Sequence, residues 1–287
     1  MIALKKEFYF IFIFHCALSL TSSVWAGGKA DSLFKAGEFY EAAIEYERVV
    51  YHSRDYKKIN QARYAKALCY KNLHEYPRAY QELQRINFAG LHDSIHFKYR
   101  YQSALLAYLS GEFSTAESIF QQLEAFTKDT TLLENTWLVR TLNYNELYEY
   151  EKARLSGVRF IELHEENGMQ TALGKWDSIY GEENLPRLKK QKIANVLQMV
   201  PGLGQIYAGA WGEGIFNFML NATFLGFGVY QVFEGYYLTG YFSAVIPLNK
   251  FYFGGHKRTS FLVEKTNYER IRAFNSEAKE FLLKLGE

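Results

Sequence analysis

Along the first half of this chain, apolar and polar positions follow the period of an amphipathic helix, and that pattern itself recurs. An aromatic residue with alanine three places later appears as Phe39/Ala42, Tyr76/Ala79, Phe113/Ala116 and Tyr150/Ala153, each step 37 residues from the last. The same step aligns Ala30, Ala67, Ala104 and Thr141 in one column. A second holds Val49, Ile86, Leu123 and Phe160, and a third holds Tyr46, Leu83, Phe120 and Gly157. Small residues let two helices approach, and large ones fill the space between neighbouring pairs, so the columns predict a stack of helix pairs. The turn inside each pair falls near Gly37, His74, Gly111 and Tyr148. Glycine accepts positive φ at a helix end, and Pro77 suits the first turn of the helix that follows.

Beyond Pro186 the pattern changes. Between residues 193 and 255 only Glu213, Glu234 and Lys250 are charged, yet 11 of the 21 glycines and two of the four prolines lie there. Residues 214–233 form an uncharged run of 20, enough at about 1.5 Å per residue to cross a hydrocarbon core of about 30 Å. Residues 235–249 are uncharged for 15 positions and are extended by Phe251, Tyr252 and Phe253; they open on Tyr236, Tyr237 and Tyr241, in the manner of an interfacial aromatic belt. The two runs predict a tight antiparallel hairpin, with Pro247 kinking its second arm. Before it, Pro201-Gly202-Leu203-Gly204 breaks residues 193–212, while Gly204, Ala208 and Gly212 form a small-residue helix face. Asn217, Asn221 and Gly228 share a side of the main run, with Gln231 nearby; in lipid such amides turn toward protein and hydrogen-bond between helices. Thr266 and Glu269 have the spacing of a capping box, and Ile271, Phe274, Ala278, Phe281, Leu282 and Leu285 line one face of an amphipathic C-terminal helix.

Charge supports the same division. Residues 27–186 carry 19 basic and 23 acidic side chains, whereas residues 187–287 carry 12 and 7, so a mildly acidic part precedes a mildly basic one. A net charge of +2 over the whole chain gives none of the electrostatic footprint of a dedicated nucleic-acid binder. Residues 1–26 read as a secretory signal, with Lys5 and Lys6 before an apolar run over residues 8–20 and an expected cut after Ala26. Export would leave Cys69 as the one mature thiol, a small buried apolar residue rather than half of an internal disulfide. Lys189, Lys190 and Lys192 precede the apolar region and Lys257, Arg258 and Lys265 follow it; all would favour the cytoplasmic side, in tension with exported repeats.

At two places the residues carry a resemblance. Ala36-Gly37-Glu38-Phe39-Tyr40-Glu41-Ala42-Ala43-Ile44-Glu45-Tyr46 resembles the tetratricopeptide repeat, and Trp137 and Tyr144 fit further columns of that family. The likeness covers residues 28–165, with a period of 37 where the family usually has about 34. The family's closing proline is missing throughout, and Gly157 stands where the other repeats have a large residue, which marks the fourth pair as a degenerate cap. The resemblance implies a concave surface that binds peptides or partner proteins, with Lys66, Tyr70, Arg100, Arg140 and Tyr144 as candidate groove residues on the inner helices. Pro201-Gly202-Leu203-Gly204-Gln205-Ile206-Tyr207-Ala208-Gly209 is similar to the Pro-Gly-x-Gly-Gln-x-Tyr segment of bacterial envelope proteins with a small hydrophobic C-terminal domain. That likeness spans residues 190–260 and implies no chemistry; Pro201, Gly202, Gly204, Gln205, Tyr207 and Gly209 read as its structural signature.

Catalytic signatures fail one by one. Between Gly168 and Lys175 the spacing is wrong for a phosphate loop, and Trp176 stands where Ser or Thr would hold magnesium. Gly202-x-Gly204 lacks the third glycine of a dinucleotide fingerprint. His92 and His96, with Asp93 between them, have a ligand-like spacing but lack the glutamate a zinc protease uses as base. Residues 162–166 read as a solvated acidic face. The sequence therefore predicts an all-α, non-enzymatic protein without a cofactor or metal. Its parts are a signal peptide (residues 1–26), a tetratricopeptide-like solenoid (27–166), a linker (167–190), a hydrophobic membrane-associated domain (191–258) and an amphipathic helix (259–287). The expected role is an exported scaffold of the bacterial cell envelope, periplasmic in its repeats, that meets membrane lipid through its hairpin and protein partners through its groove. The alternative is a non-catalytic component of an envelope transport or membrane-insertion machine.

Overall fold

The computed structural model describes residues 28–164 and 168–285; the expected signal peptide lies outside them. Among the described residues there are fourteen helices and no strand. They fall into two units, one formed by the chain up to Tyr180 together with the residues from Lys279 onward, the other by Gly181–Ala278.

The first unit holds α1 (Gly28–Lys35), α2 (Phe39–His52), α3 (Tyr56–Asn72), α4 (Tyr76–Gln84), α5 (Asp93–Leu109), α6 (Phe113–Phe126), the short α7 (Thr130–Glu134), α8 (Trp137–Glu146), α9 (Tyr150–His164) and α10 (Met169–Ile179). Helices adjacent in sequence pack together in pairs. The turns inside the pairs are alike to the level of individual hydrogen bonds. At Gly37, His74, Gly111 and Tyr148 the backbone takes φ values of 81, 60, 80 and 60°. In each case that residue's amide donates to the carbonyl three back, and the next amide donates to the carbonyl five back, as in Glu38 to Leu33, Glu75 to Tyr70, Glu112 to Ala107 and Glu149 to Tyr144. This is the Schellman closure, which satisfies carbonyls left open at a helix end. The glutamates after the turns make a further column, and their carbonyls accept the amides of Ala42, Ala79, Ala116 and Ala153. Their side chains place negative charge at the positive end of the next helix. Both small columns are buried: Ala30, Ala67, Ala104 and Thr141 on one helix of each pair, Ala42, Ala79, Ala116 and Ala153 on the other.

Two departures from the period have visible causes. Residues 167–190, read from sequence as a linker, contain α10, whose Trp176 is fully buried and donates from its indole nitrogen to the Arg154 carbonyl at 2.9 Å. A Cβ on Gly157 would lie 2.1 Å from the Trp176 ring, so the indole fills the volume that a large residue fills in the other repeats. The second departure is the length of α4, nine residues against 14 in α2 and α6. Buried Asn60 ends it early: its amide donates to the Asn87 carbonyl at 2.6 Å and its carbonyl accepts the Asn87 amide at 3.0 Å, while Arg63 donates to the Arg85 carbonyl.

The second unit holds α11 (Gln191–Leu197), α12 (Leu203–Tyr207), α13 (Trp211–Phe233) and most of α14 (Tyr237–Leu285). The chain breaks between α11 and α12 at Pro201 and Gly202, the latter at φ 89°. Helices α13 and α14 pair antiparallel across the turn at Gly235. Arg258 binds Glu213 with two 2.7 Å hydrogen bonds, Gly255 lies against Asn217, Phe224 stacks on Phe251 at 5.5 Å, and Gly228 meets Ala244. Pro247 lies inside α14 without ending it. The helix runs without interruption through residues 259–285, so Thr266 does not cap a new start; its hydroxyl donates to the Ala208 carbonyl at 2.8 Å instead.

Candidate functional site

Two surfaces hold the residues singled out from sequence. In the first unit, Lys66, Ser103 and Arg140 occupy one column of the 37-residue period, on α3, α5 and α8. Lys66 is buried and bonds Glu47 at 2.7 Å and Glu82 at 2.9 Å, with its ammonium 5.7 Å from the Tyr70 ring. Burial opposes that charge, but the hydrogen bonds to Glu47 and Glu82 prevail and hold its pKa above that of free lysine. Arg140 is buried as well, pairs with Glu124 at 3.1 Å and donates to the Tyr144 hydroxyl at 3.0 Å, which in turn donates to Glu117 at 2.8 Å. Burial, with Glu117 adding to it, pushes the Tyr144 phenol up to about 12. Three of the five groove candidates thus belong to ionic networks that tie one helix pair to the next.

Between them the third repeat is different. Ser103 replaces the cation, and Gln84 and Ile119 stand one period after Glu47 and Glu82. With all three ions gone, and with α4 cut short, a cleft of about 480 Å³ opens beside Ser103. Arg100, half-buried one turn earlier on α5, stacks over the Phe88 ring at 4.3 Å. His96 meets the same ring edge-on at 5.2 Å, and its pKa is lowered by burial and by Arg100. His92 caps α5, accepting the Ser94 amide at its Nδ1. Among the described residues no three His, Cys, Asp or Glu side chains gather as a metal site.

In the second unit the Pro-Gly-x-Gly-Gln-x-Tyr residues hold α12 against its neighbours. A Cβ on Gly202 would stand 2.1 Å from the Gly214 carbonyl oxygen, and one on Gly204 would stand 2.6 Å from the Ala194 oxygen. The Tyr207 hydroxyl accepts the Lys190 amide at 3.1 Å, and the Lys189 ammonium lies 4.7 Å from its ring. Gly209, at φ 99°, ends the helix. Gln205 is buried, as is Gln198, whose side-chain oxygen accepts the Thr259 hydroxyl at 2.8 Å. Asn221 is buried and donates to Asn217 of its own helix at 3.0 Å; Gln231 is half-buried where α13 passes Gly240. The Glu213–Arg258 pair and the Asn60 clamp leave no local signal in the sequence, because both join residues tens of positions apart.

The outer face of this pair is apolar and uncovered. In α13 the exposed side chains include Phe216, Met219, Leu225 and Phe233, and in α14 Leu238, Phe242 and Ile246. Only 11% of the most apolar window of α13 is buried. No protein-family model, curated protein or solved structure matches this chain.

Proposed function

We propose that this chain is an exported, membrane-tethered scaffold of the bacterial cell envelope, without catalytic activity, in which a tetratricopeptide-like solenoid binds protein partners and the α13–α14 pair is a membrane hairpin. The exposure of α13 carries the reading. A 23-residue helix whose most apolar 18-residue window has a mean hydropathy of 1.2 and is so little buried leaves an apolar face open, and a lipid environment relieves that cost. The hairpin puts Lys257 and Arg258 at the same end as Lys189 and Lys190, since Asn267 holds the Lys189 backbone through two hydrogen bonds. A two-pass insertion therefore leaves both basic clusters at one headgroup layer, with Glu234, Tyr236 and Tyr237 at the other. Lys250, next to Phe251, sits near mid-height of the pair, and a charge at that depth is a cost to insertion that the apolar face of α13 has to outweigh. The pairing of Asn217 with Asn221 on one helix supports a packing role for these amides over a polar path for cargo.

Envelope fractionation with an alkaline wash tests this reading, with full-length protein beside a chain ending at Pro186. Full-length protein that resists extraction while the shortened chain is released supports the anchor. Full-length protein that washes off overturns it.

A further inference from the structure

We infer that the cleft of the third repeat is a docking site for an acidic peptide segment of a partner protein, one with a carboxylate side chain next to an aliphatic residue; this deepens the scaffold reading and rests on it. The same column has two neighbouring positions, one on α3 and one on α8. There the cation, Lys66 or Arg140, is buried and neutralised by carboxylates of this chain: Glu47 and Glu82 for the first, Glu124 for the second. At the third repeat Ser103 takes the place of the cation, Gln84 and Ile119 stand one period after Glu47 and Glu82, and Asn87 stands one period before Glu124; none is charged, and the space stays open at about 480 Å³. That volume falls within the range of ligand-sized pockets and accommodates a few residues of an extended chain.

The cleft is built rather than left over. It exists because α4 stops at Gln84, and α4 stops there because buried Asn60 captures the backbone of Asn87 on both its donor and its acceptor side. The freed segment carries Phe88 to the opening, where its ring lies 4.3 Å from the Arg100 guanidinium carbon. A cation–π contact of this kind engages the charge of the guanidinium and not its N–H donors, which suit a bidentate carboxylate.

The lining sets the charge and polarity of the occupant. Arg100 is the one charged side chain in it; no carboxylate lines the cleft, and Arg100 makes no ion pair among the described residues. Thr115, Ser118 and Gln122 from α6 and Gln84 from α4 offer neutral donors and acceptors along one wall, which suit a peptide backbone. Leu83, Ile86 and Ile119 form an apolar floor suited to an aliphatic side chain. The Ser103 hydroxyl is already committed to the Tyr99 carbonyl at 2.9 Å, so the anion is read by Arg100 alone. A carboxylate from outside thus plays the part that Glu82 and Glu124 play for the neighbouring cations.

The test uses the full chain in a non-ionic detergent and a fluorescein-labelled, capped Gly-Leu-Glu-Leu-Gly peptide read by polarisation, beside the same peptide with glutamine or lysine at its centre. Saturable binding of the glutamate peptide is expected, weakened about tenfold or more by the glutamine exchange and abolished by the lysine exchange. Arg100→Gln should weaken the glutamate peptide by the same factor while leaving the glutamine peptide unchanged, and Ser118→Trp, which fills the cleft from an exposed position, should weaken both. Absence of saturable binding overturns the inference, as does equal affinity for the glutamate and glutamine peptides or indifference to Arg100→Gln and Ser118→Trp. The scaffold reading is judged separately, by site-specific photocrosslinking from exposed positions of the first unit: partner crosslinks that persist in Arg100→Gln, alongside a negative peptide result, sink the cleft and leave the scaffold standing.

Discussion

Gly157 and Trp176 share one volume: a methyl group on the first would stand 2.1 Å from the indole of the second, which is fully buried and hydrogen-bonded to the Arg154 carbonyl. The fourth repeat gives up its own large residue and takes the filling from a helix that follows it, one whose Trp176 also stacks on Phe281 at 5.7 Å. Gly157→Ala should therefore destabilise the first unit by about 2 kcal/mol or more, and Trp176→Ala by about 3 to 5 kcal/mol. In the double variant the two costs should fall well short of their sum, because the alanine methyl then enters an emptied space. Denaturant unfolding of the four proteins checks the cycle; strict additivity would contradict the shared volume.

The turns offer a second test. Tyr148 and Gly111 hold the same backbone conformation, but only glycine holds it without steric cost. Tyr148→Gly should stabilise the first unit by about 0.5 to 1 kcal/mol, since the tyrosine side chain is exposed, and Gly111→Ala should destabilise it by about 1 kcal/mol. Thermal melting of the two variants reads opposite shifts.

The Lys66 network should be asymmetric. Glu82 is as buried as the lysine, whereas 52% of the Glu47 side chain remains exposed. Removing Glu82 leaves a buried charge half-compensated, so Glu82→Ala should cost about 2 kcal/mol or more, and Glu47→Ala less than about 1 kcal/mol. Chemical denaturation measures both, and equal effects would count against the burial argument.

Cys69 is a pH probe. Burial pushes its thiol up to about 12 from an ordinary value of 9.0. The folded state therefore prefers the neutral thiol: its contribution to stability is whole below pH 9 and is lost as pH rises toward 12. At pH 8 the native thiol should be inert to a disulfide reagent and react promptly once the chain is unfolded in guanidinium; prompt reaction of the native protein would refute its burial.

In the second unit, Gly202→Ala puts a Cβ against the Gly214 oxygen at a φ of 89°. The expected outcome is loosened packing of α12 on α13 with little change in α13 itself: faster proteolysis around residues 198–210 in detergent, at nearly unchanged helical content.

What the sequence makes legible follows from periodicity. Alanine columns, turn positions and the break at Pro201 are local or evenly spaced signals, and each has its counterpart in the backbone. His74 and Tyr148 show how strong the period is, because neither residue type predicts a left-handed turn and only alignment with Gly37 and Gly111 places one there. The cleft was illegible for the opposite reason. Asn60 and Asn87 are 27 residues apart, and nothing in either residue alone signals that a helix will be cut short. Arg100 stands out in the sequence without its ring partner, since Phe88 lies in an irregular segment that no helical pattern positions. Lys66 and Arg140 look like surface cations in a polar helix; only their carboxylate partners on adjacent helices explain why they are buried.

The identical closures at Gly37, His74, Gly111 and Tyr148 also bear on how such a chain could lengthen. When every junction is made by the same backbone bonds and entered by the same glutamate, the joint does not depend on which repeat it belongs to. A tandem duplication of a 37-residue block, cut anywhere within the period, would restore the reading of small and large columns at both seams. Growth or loss of whole units is then a single genetic event that leaves the flanking contacts intact, and specialised features such as the shortened α4 can be carried by one copy without being imposed on the others.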